Sequence, residues 1–192
     1  FDPSKIRKII FLVRKEHDEE MGAIKKLKKK YGAKCECVFV NYLTEGAACT
    51  ALLAKEYINS DEDLIIKDSD GYILSGIHDT IGRISGNISG ILSTIVIRDG
   101  ENYSFARLGK RGSVVEVAER RRISDNVITG MYYFRHGRDF VRYAEQMIKK
   151  DKRVNGEFYI APIYQEMIED GKKIAIDSAK ELWNLGTPEG LN

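Results

Sequence analysis

The chain has 192 residues, 43% of them hydrophobic and 31% charged, with 31 basic against 29 acidic side chains and a formal net charge of +2. That balance excludes a disordered or low-complexity chain, argues against a dedicated nucleic-acid binder, and fits one domain over residues 1–192 with a sizeable core. No apolar stretch approaches the roughly 20 residues of a membrane span, no secretory leader is expected, and a cytoplasmic location follows as the expectation.

Ile9-Ile10-Phe11-Leu12-Val13 is a continuous apolar run of the kind that forms a strand buried on both faces. Met21, Ile24, Leu27 and Tyr31 then recur at helical spacing until Gly32, with the lysines at 25, 26, 28, 29 and 30 covering a solvated outer face. Cys37-Val38-Phe39-Val40 reads as the next strand. Cys35, Cys37 and Cys49 are an odd count without a CxxC pair, and His17, His78 and His136 have no ligand spacing. Reduced thiols and no zinc are expected. Thr44-Glu45-Gly46 opens a helix whose Ala47, Ala51, Ala54 and Ile58 form one stripe, and Leu64-Ile65-Ile66 is a third strand that runs into Lys67-Asp68-Ser69-Asp70-Gly71. The order strand, helix, strand, helix, strand predicts a parallel sheet with helices on its faces.

Residues 75–90 lack clear periodicity and are expected to be helical or irregular. Ser93 to Arg98, Tyr103 to Leu108 and Ser113 to Ala118 read as strands, the last two joined by a hairpin turn at Gly109-Lys110-Arg111-Gly112. Val127 to Phe134 is a strand with Gly130 inside it. Helices are expected over Asp139 to Lys150 and Tyr159 to Glu169, a short strand over Lys173 to Ile176, and a helix start at Thr187-Pro188-Glu189.

The sharpest chemical signal is Asp68-Ser69-Asp70 directly after an apolar strand. Ligands collect beyond the carboxyl ends of strands in open α/β sheets, and two carboxylates there suit a hard divalent cation that bridges phosphates. Turns also gather Asp, Ser and Gly, so the pattern alone leaves both readings open. Thr44-Glu45-Gly46 places free N–H groups at a helix start, where an anion or the polar edge of a base can bind. Glu119-Arg120-Arg121-Arg122 ends a strand with guanidinium groups suited to phosphate. Gly130 inside a strand marks a close approach of ligand or backbone. There is no Walker A loop and no GxGxxG.

In order, these stretches resemble the sugar-phosphate nucleotidyltransferases, especially the bacterial branch associated with capsule and surface-polysaccharide synthesis. The resemblance is carried by Phe11 to His17, Leu43 to Ala48, Leu64 to Tyr72, Phe105 to Leu108, Val115 to Arg120, Ile123 to Asp125, Gly130 to Phe134, Arg153 to Tyr159 and Leu185 to Glu189. It implies a Rossmann-like α/β fold with a mixed, mostly parallel sheet and helices on both faces, N-terminally incomplete. The implied reaction joins a nucleoside triphosphate to a sugar 1-phosphate and releases pyrophosphate, with Mg²⁺ as cofactor. By resemblance, Asp70 and Asp68 would hold the metal, and Thr44, Glu45, Gly46 and Asp70 would bind the nucleotide. Ala106, Glu119, Arg120, Gly130, Tyr132 and Glu157 would bind the sugar phosphate, with Asp70 and Arg120 catalytic. A homo-oligomer is compatible with the family.

The chain departs from the family's pattern in three places. The first strand corresponds to the family's second, so the glycine-rich opening loop has no counterpart. Asn184 stands where many relatives carry a second metal-binding Asp, and Asp68-Ser69-Asp70-Gly71 replaces the more usual Asn-Ser-Asp-Gln. Two other readings remain open at this level: a nucleotide-sugar-dependent glycosyltransferase that uses Asp68-Ser69-Asp70 for its metal, and a non-catalytic domain that binds nucleotide or sugar phosphate.

Overall fold

The structure, a computed structural model, describes residues 5–84 and 86–186. The first apolar run forms β1 (Ile9–Arg14), paired in parallel with β2 (Cys35–Val40) from Ile9 opposite Cys35 to Arg14 opposite Val40. The connection is two helices rather than one. α1 (Lys15–Met21) ends at Gly22, which is left-handed at φ 61°, and α2 (Ala23–Tyr31) restarts there before a 3-10 turn. Gly22 falls between the apolar positions, so their spacing conceals a break that glycine accommodates without a Cβ clash. The Phe11 and Tyr31 rings lie 5.2 Å apart, so α2 covers one face of β1. Ile10 and Leu12, on the other face, meet the main core.

The alanine-rich segment also divides, into α3 (Ala47–Leu52) and α4 (Lys55–Ile58). Ala48, Ala51, Ala54 and Ile58 are its buried residues, while Ala47 is exposed. After β3 (Leu64–Lys67) come β4 (Gly71–Leu74), α5 (Ile77–Arg83), β5 (Ile88–Val96), β6 (Ser104–Leu108), β7 (Val114–Glu119), β8 (Asn126–Phe134), α6 (Gly137–Lys149), α7 (Ala161–Glu169), β9 (Lys173–Ser178) and β10 (Glu181–Asn184). The expected helix start at Thr187-Pro188-Glu189 lies outside the described residues.

Six strands form the main sheet in the order β3-β8-β5-β9-β7-β6. The expectation of a mostly parallel sheet is corrected here. Within this sheet only β5 and β9 run parallel, and its other pairings are antiparallel. The alternation that signals crossovers stops after β3. A hairpin then links β6 to β7, closed by Gly109 N–H donating to Ser113 O at 2.8 Å, and β8 returns against both β3 and β5. β4 and β10 form a separate antiparallel ribbon, with Tyr72 opposite Trp183.

Helices do cover both faces. The α6 and α7 side carries the larger core, built around Phe134, Phe140, Tyr164 and Met167, with Phe134 and Tyr164 ring centroids 4.6 Å apart. α5 covers the other face, where Ile77 packs on Ile91, Met131 and Tyr133. Burying each such side chain stabilises the fold by about 1.5–3 kcal/mol. The rigid sheet this produces sets the positions of β3, β7 and β8, whose ends carry the polar groups described next.

Candidate active site

The loop after β3 is held by backbone contacts on both flanks: Asp68 N–H donates to Gly130 O at 2.9 Å, and Leu185 N–H donates to Asp70 O at 2.7 Å. The half-buried Asp68 carboxyl folds over Gly130. That glycine has φ +81°, and any side chain on it would start 2.6 Å from Asp68 Oδ2. Gly130 therefore accommodates this chain's own carboxylate. Burial first, then the neighbouring Asp70 and Glu119 charges, push the Asp68 carboxyl up to about 6 against the opposing pull of Lys67. The Lys67 ammonium donates to two carbonyls, Asp68 O at 2.8 Å and Gly71 O at 2.5 Å, and so ties the loop backbone.

Asp70 is exposed, with its Oδ2 2.9 Å from where a side chain on Gly186 would begin. Asn184, paired with Gly71, lies beside it and accepts a 2.9 Å hydrogen bond from Gly186 N–H. Asn184 is thus next to Asp70, with its amide oxygen engaged by the backbone.

At the end of β7, Glu119 sits opposite Ser104 of β6 and accepts its hydroxyl hydrogen bond. Burial pushes the Glu119 carboxyl up, with Ser104 and Arg120 acting the other way. The Tyr132 phenol is buried, and burial together with the Asp68 and Glu119 charges keeps it protonated far above the usual phenol range. Tyr132 is thus a buried side chain close enough to feel both carboxylates. Ala106 is a core residue, fully buried, whose carbonyl accepts a 2.7 Å hydrogen bond from Ser124 Oγ.

The three arginines separate. Arg120 is left-handed at φ 50°, a sparsely populated conformation for a residue with a Cβ. Its guanidinium lies 5.5 Å from the Tyr159 ring centroid and donates to the Tyr159 hydroxyl at 3.2 Å, near Glu119 and Glu157. Arg121 pairs with Glu116 at 2.9 Å, and Arg122 binds Ile97 O, Gly100 O and Asp125. Of the triplet, Arg120 is the one placed beside Glu119 and Glu157.

The third part of the site is the loop before α3. Phe158 N–H donates to Glu45 O at 2.8 Å, and Ala48 N–H donates to Phe158 O at 3.0 Å. Gly46 has φ +122°, and a Cβ there would lie 2.6 Å from Phe158 O, so this glycine too serves a close backbone approach. Thr44 Oγ1 and Thr50 Oγ1 are 2.5 Å apart. The exposed Glu45 pairs with Arg153 at 2.5 Å, and that guanidinium stacks 4.2 Å over the Phe158 ring.

The groups are thus linked in steps: Asp68 packs over Gly130 and feels the charges of Asp70 and Glu119, Arg120 follows Glu119 and bonds Tyr159, and the adjoining Phe158 holds Glu45 and Gly46. Ser104, Arg153 and Tyr159 belong to this series and were not singled out by sequence. A serine in a strand or a tyrosine in an apolar segment carries no signal until the pairing is known. For a divalent cation the donor set is Asp68 and Asp70. Among the described residues no group of three or more His, Cys, Asp and Glu side chains converges. Two carboxylates with excess negative charge nevertheless suit Mg²⁺, which is commonly held by one or two carboxylates plus substrate phosphates.

No family model matches the chain, and no curated protein matches it by sequence. Its fold does match solved structures. The nucleoside-diphosphate-sugar pyrophosphorylase from Vibrio cholerae RC9 superimposes with a TM-score of 0.79 at 23% identity, over 98% of this chain and 81% of that one. A protein assigned as a glucose-1-phosphate thymidylyltransferase from Bacillus anthracis, in complex with sucrose, gives 0.76 at 16% identity over 97% and 74%. The inositol-1-phosphate CTP transferase from T. maritima gives 0.73 at 14% identity over 97% and 73%. The chain has the fold of the sugar-phosphate nucleotidyltransferases, a mixed α/β architecture that at these identities is established by shape.

Proposed function

We propose that the chain is the substrate-binding and catalytic body of a nucleotidyltransferase. It would join a nucleoside triphosphate to a sugar 1-phosphate, or a similar phosphorylated acceptor, to give a nucleotide sugar and pyrophosphate. The observation that carries this reading is the stepwise series of neighbouring groups from Asp70 to Gly46. It brings a cation-suited carboxylate pair, a phosphate-suited arginine and a helix-start loop to one region of a fold otherwise found in enzymes of this kind.

In this reaction an acceptor phosphate oxygen attacks the α-phosphorus in line. A new P–O bond forms, the bond from the α-phosphorus to the bridging oxygen breaks, and pyrophosphate leaves with the electron pair. Positioning and charge neutralisation supply most of the catalysis in such steps. Asp70, supported by Asp68, would hold Mg²⁺, which when bound neutralises charge on the phosphates. Arg120, braced by Tyr159, would orient the acceptor phosphate with its guanidinium fork. Glu119, fixed by Ser104, would accept hydrogen bonds from acceptor hydroxyls, with Glu157 at the outer edge. Thr44, Glu45 and Gly46 would define the loop against which the base rests. Tyr132, Gly130 and Ala106 act beneath these groups, as support. A cytoplasmic setting and a role in surface-polysaccharide synthesis belong to the same proposal.

The test is pyrophosphate release from the folded protein with each common nucleoside triphosphate and a panel of sugar 1-phosphates and other phosphorylated acceptors. Release that requires Mg²⁺ and both substrates is the expected result. Consumption of a nucleotide sugar without pyrophosphate, or no release with any pair, contradicts the proposal.

A further inference from the structure

Between α6 and α7 the chain makes a tight turn at Val154-Asn155-Gly156-Glu157. Asn155 has φ 49° and Gly156 φ 84°, both positive, as the two central residues of a type I′ turn require. Val154 and Glu157 close the turn by exchanging two backbone hydrogen bonds of 3.0 Å. Glu157 is therefore carried by a hairpin tip of fixed shape. The start of the segment is fixed as well, because Lys150 and Lys152 both bond the buried Glu166 of α7.

Arg153 stands between this turn and the loop before α3. Its Nε donates to Asp151 Oδ1 at 2.6 Å and its Nη1 to Gly156 O at 3.2 Å, which ties the segment to itself. Its Nη2 reaches across to Glu45 Oε2 at 2.5 Å, and the guanidinium lies 4.2 Å from the Phe158 ring centroid. The backbone joins the same two loops, through Phe158 N–H to Glu45 O and Ala48 N–H to Phe158 O. An isolated exposed ion pair holds little together. Here the fork is already fixed at two other points, and the Arg153 side chain is 33% exposed against 63% for Glu45. Arg153 has no part in the proposed reaction, yet it joins the two loops that do: Glu45 and Gly46 for the nucleotide, Glu157 for the acceptor.

We infer that Arg153 is a positioning residue that makes the Glu45–Gly46 loop and the Glu157 turn one unit, so that a ligand ordering either loop lowers the cost of ordering the other. Its consequence for substrates rests on the proposed nucleotidyl transfer. Nucleoside triphosphate and phosphorylated acceptor should strengthen each other's binding, by the same factor in either order. The link itself rests on the two loops alone.

The test has two arms. The first is amide hydrogen exchange by NMR on the ligand-free chain and on Glu45→Gln, Arg153→Gln and Arg153→Lys. Glu45→Gln should speed exchange at Val154 and Glu157, on the other loop, by at least about fivefold. Arg153→Gln should do the same there and also at Ala48 and Phe158. Adding Glu45→Gln to Arg153→Gln should change nothing further. Arg153→Lys keeps the charge but loses the fork, and should restore little of the protection. Unchanged exchange at Val154 and Glu157 in Glu45→Gln, additive effects in the double variant, or full protection with lysine would each overturn the inference, whether or not the chain is active.

The second arm is steady-state pyrophosphate release with both substrates varied. In the parent, the KM for each substrate should fall ~5–10-fold as the other approaches saturation. Arg153→Gln should abolish that interdependence while kcat at saturation stays within about threefold. Interdependence that survives in Arg153→Gln would overturn the coupling. No release by the parent with any pair would overturn the proposed reaction alone, and the first arm would still decide the link.

Discussion

Two groups of shielded carboxylates are built in opposite ways. Glu166, fully buried in α7, receives Lys150 at 2.5 Å, Gln146 at 2.8 Å and Lys152. Burial alone would raise its carboxyl, yet these hydrogen bonds bring it down to about 2. Asp177 of β9 is likewise satisfied, by Ser75 at 2.5 Å and Thr80 at 2.7 Å. Asp68, by contrast, is raised to about 6, with Asp70 and Glu119 adding to the burial. A carboxylate whose partners are already present holds structure together. A cluster of carboxylates short of cations has an electrostatic deficit that an incoming cation can remove, and that contrast separates scaffold from site more sharply than acidity alone.

Substitutions can sharpen or break this contrast. The largest effect is expected at Asp70. Asp70→Asn should lower Mg²⁺-dependent pyrophosphate release by ~100-fold or more while the melting temperature holds, since exposed Asp70 supports ligand rather than fold. Full activity in this variant would show that the two carboxylate groups do not differ as described. Glu166→Gln is the converse. It should leave substrate affinities alone and cost roughly 3 kcal/mol of stability near neutral pH, read by urea titration. Because the folded Glu166 titrates at about 2, below an unfolded value of about 4.3, its contribution is fully present above that unfolded value. It fades as pH falls toward 2, so the variant should also lose less stability than the parent over that acid range.

Gly130→Ala should cost ~1–3 kcal/mol, because a Cβ at φ +81° meets the Asp68 carboxyl. Adding Asp68→Ala should restore part of that loss, and a double-mutant cycle without coupling would contradict the close packing. Arg120→Ala should raise the KM for the phosphorylated acceptor by ~10-fold with little change for the nucleotide, as expected for one charge-assisted contact. Arg121→Ala, next in sequence but itself exposed and paired with Glu116, should change stability by less than about 0.5 kcal/mol and leave both KM values alone.

Much of this architecture was legible in the chain. Continuous apolar runs located β1, β3 and β8, and the turn at Gly109–Gly112 located the β6–β7 hairpin, because burial and turn chemistry are local. Strand direction was not legible, since the partner of β3 is β8, with Leu64 opposite Phe134 and Lys67 opposite Met131, and local alternation carries no information about so distant a pairing. The β4–β10 ribbon was hidden for the same reason. At the site, Asp68-Ser69-Asp70 stood out by composition, Gly46 as part of a helix-start loop, and Gly130 as a point of close approach. What approaches them, the Phe158 backbone and the Asp68 carboxyl, could only be read in three dimensions. The arginine triplet teaches the same lesson: three like residues in a row take different partners because the chain turns through a left-handed Arg120.

The most direct test of the central claim is a paramagnetic titration. Mn²⁺ is added in place of Mg²⁺ to the isotopically labelled protein with a saturating nucleoside triphosphate, and amide line broadening is followed by NMR. Broadening centred on Asp68–Asp70 and reaching Glu119, Arg120 and Gly130, with the amides around Glu166 and Lys152 sharp, is the predicted result. Broadening centred on the Glu166 cluster, or none at Asp68–Asp70 with nucleotide bound, would contradict the account.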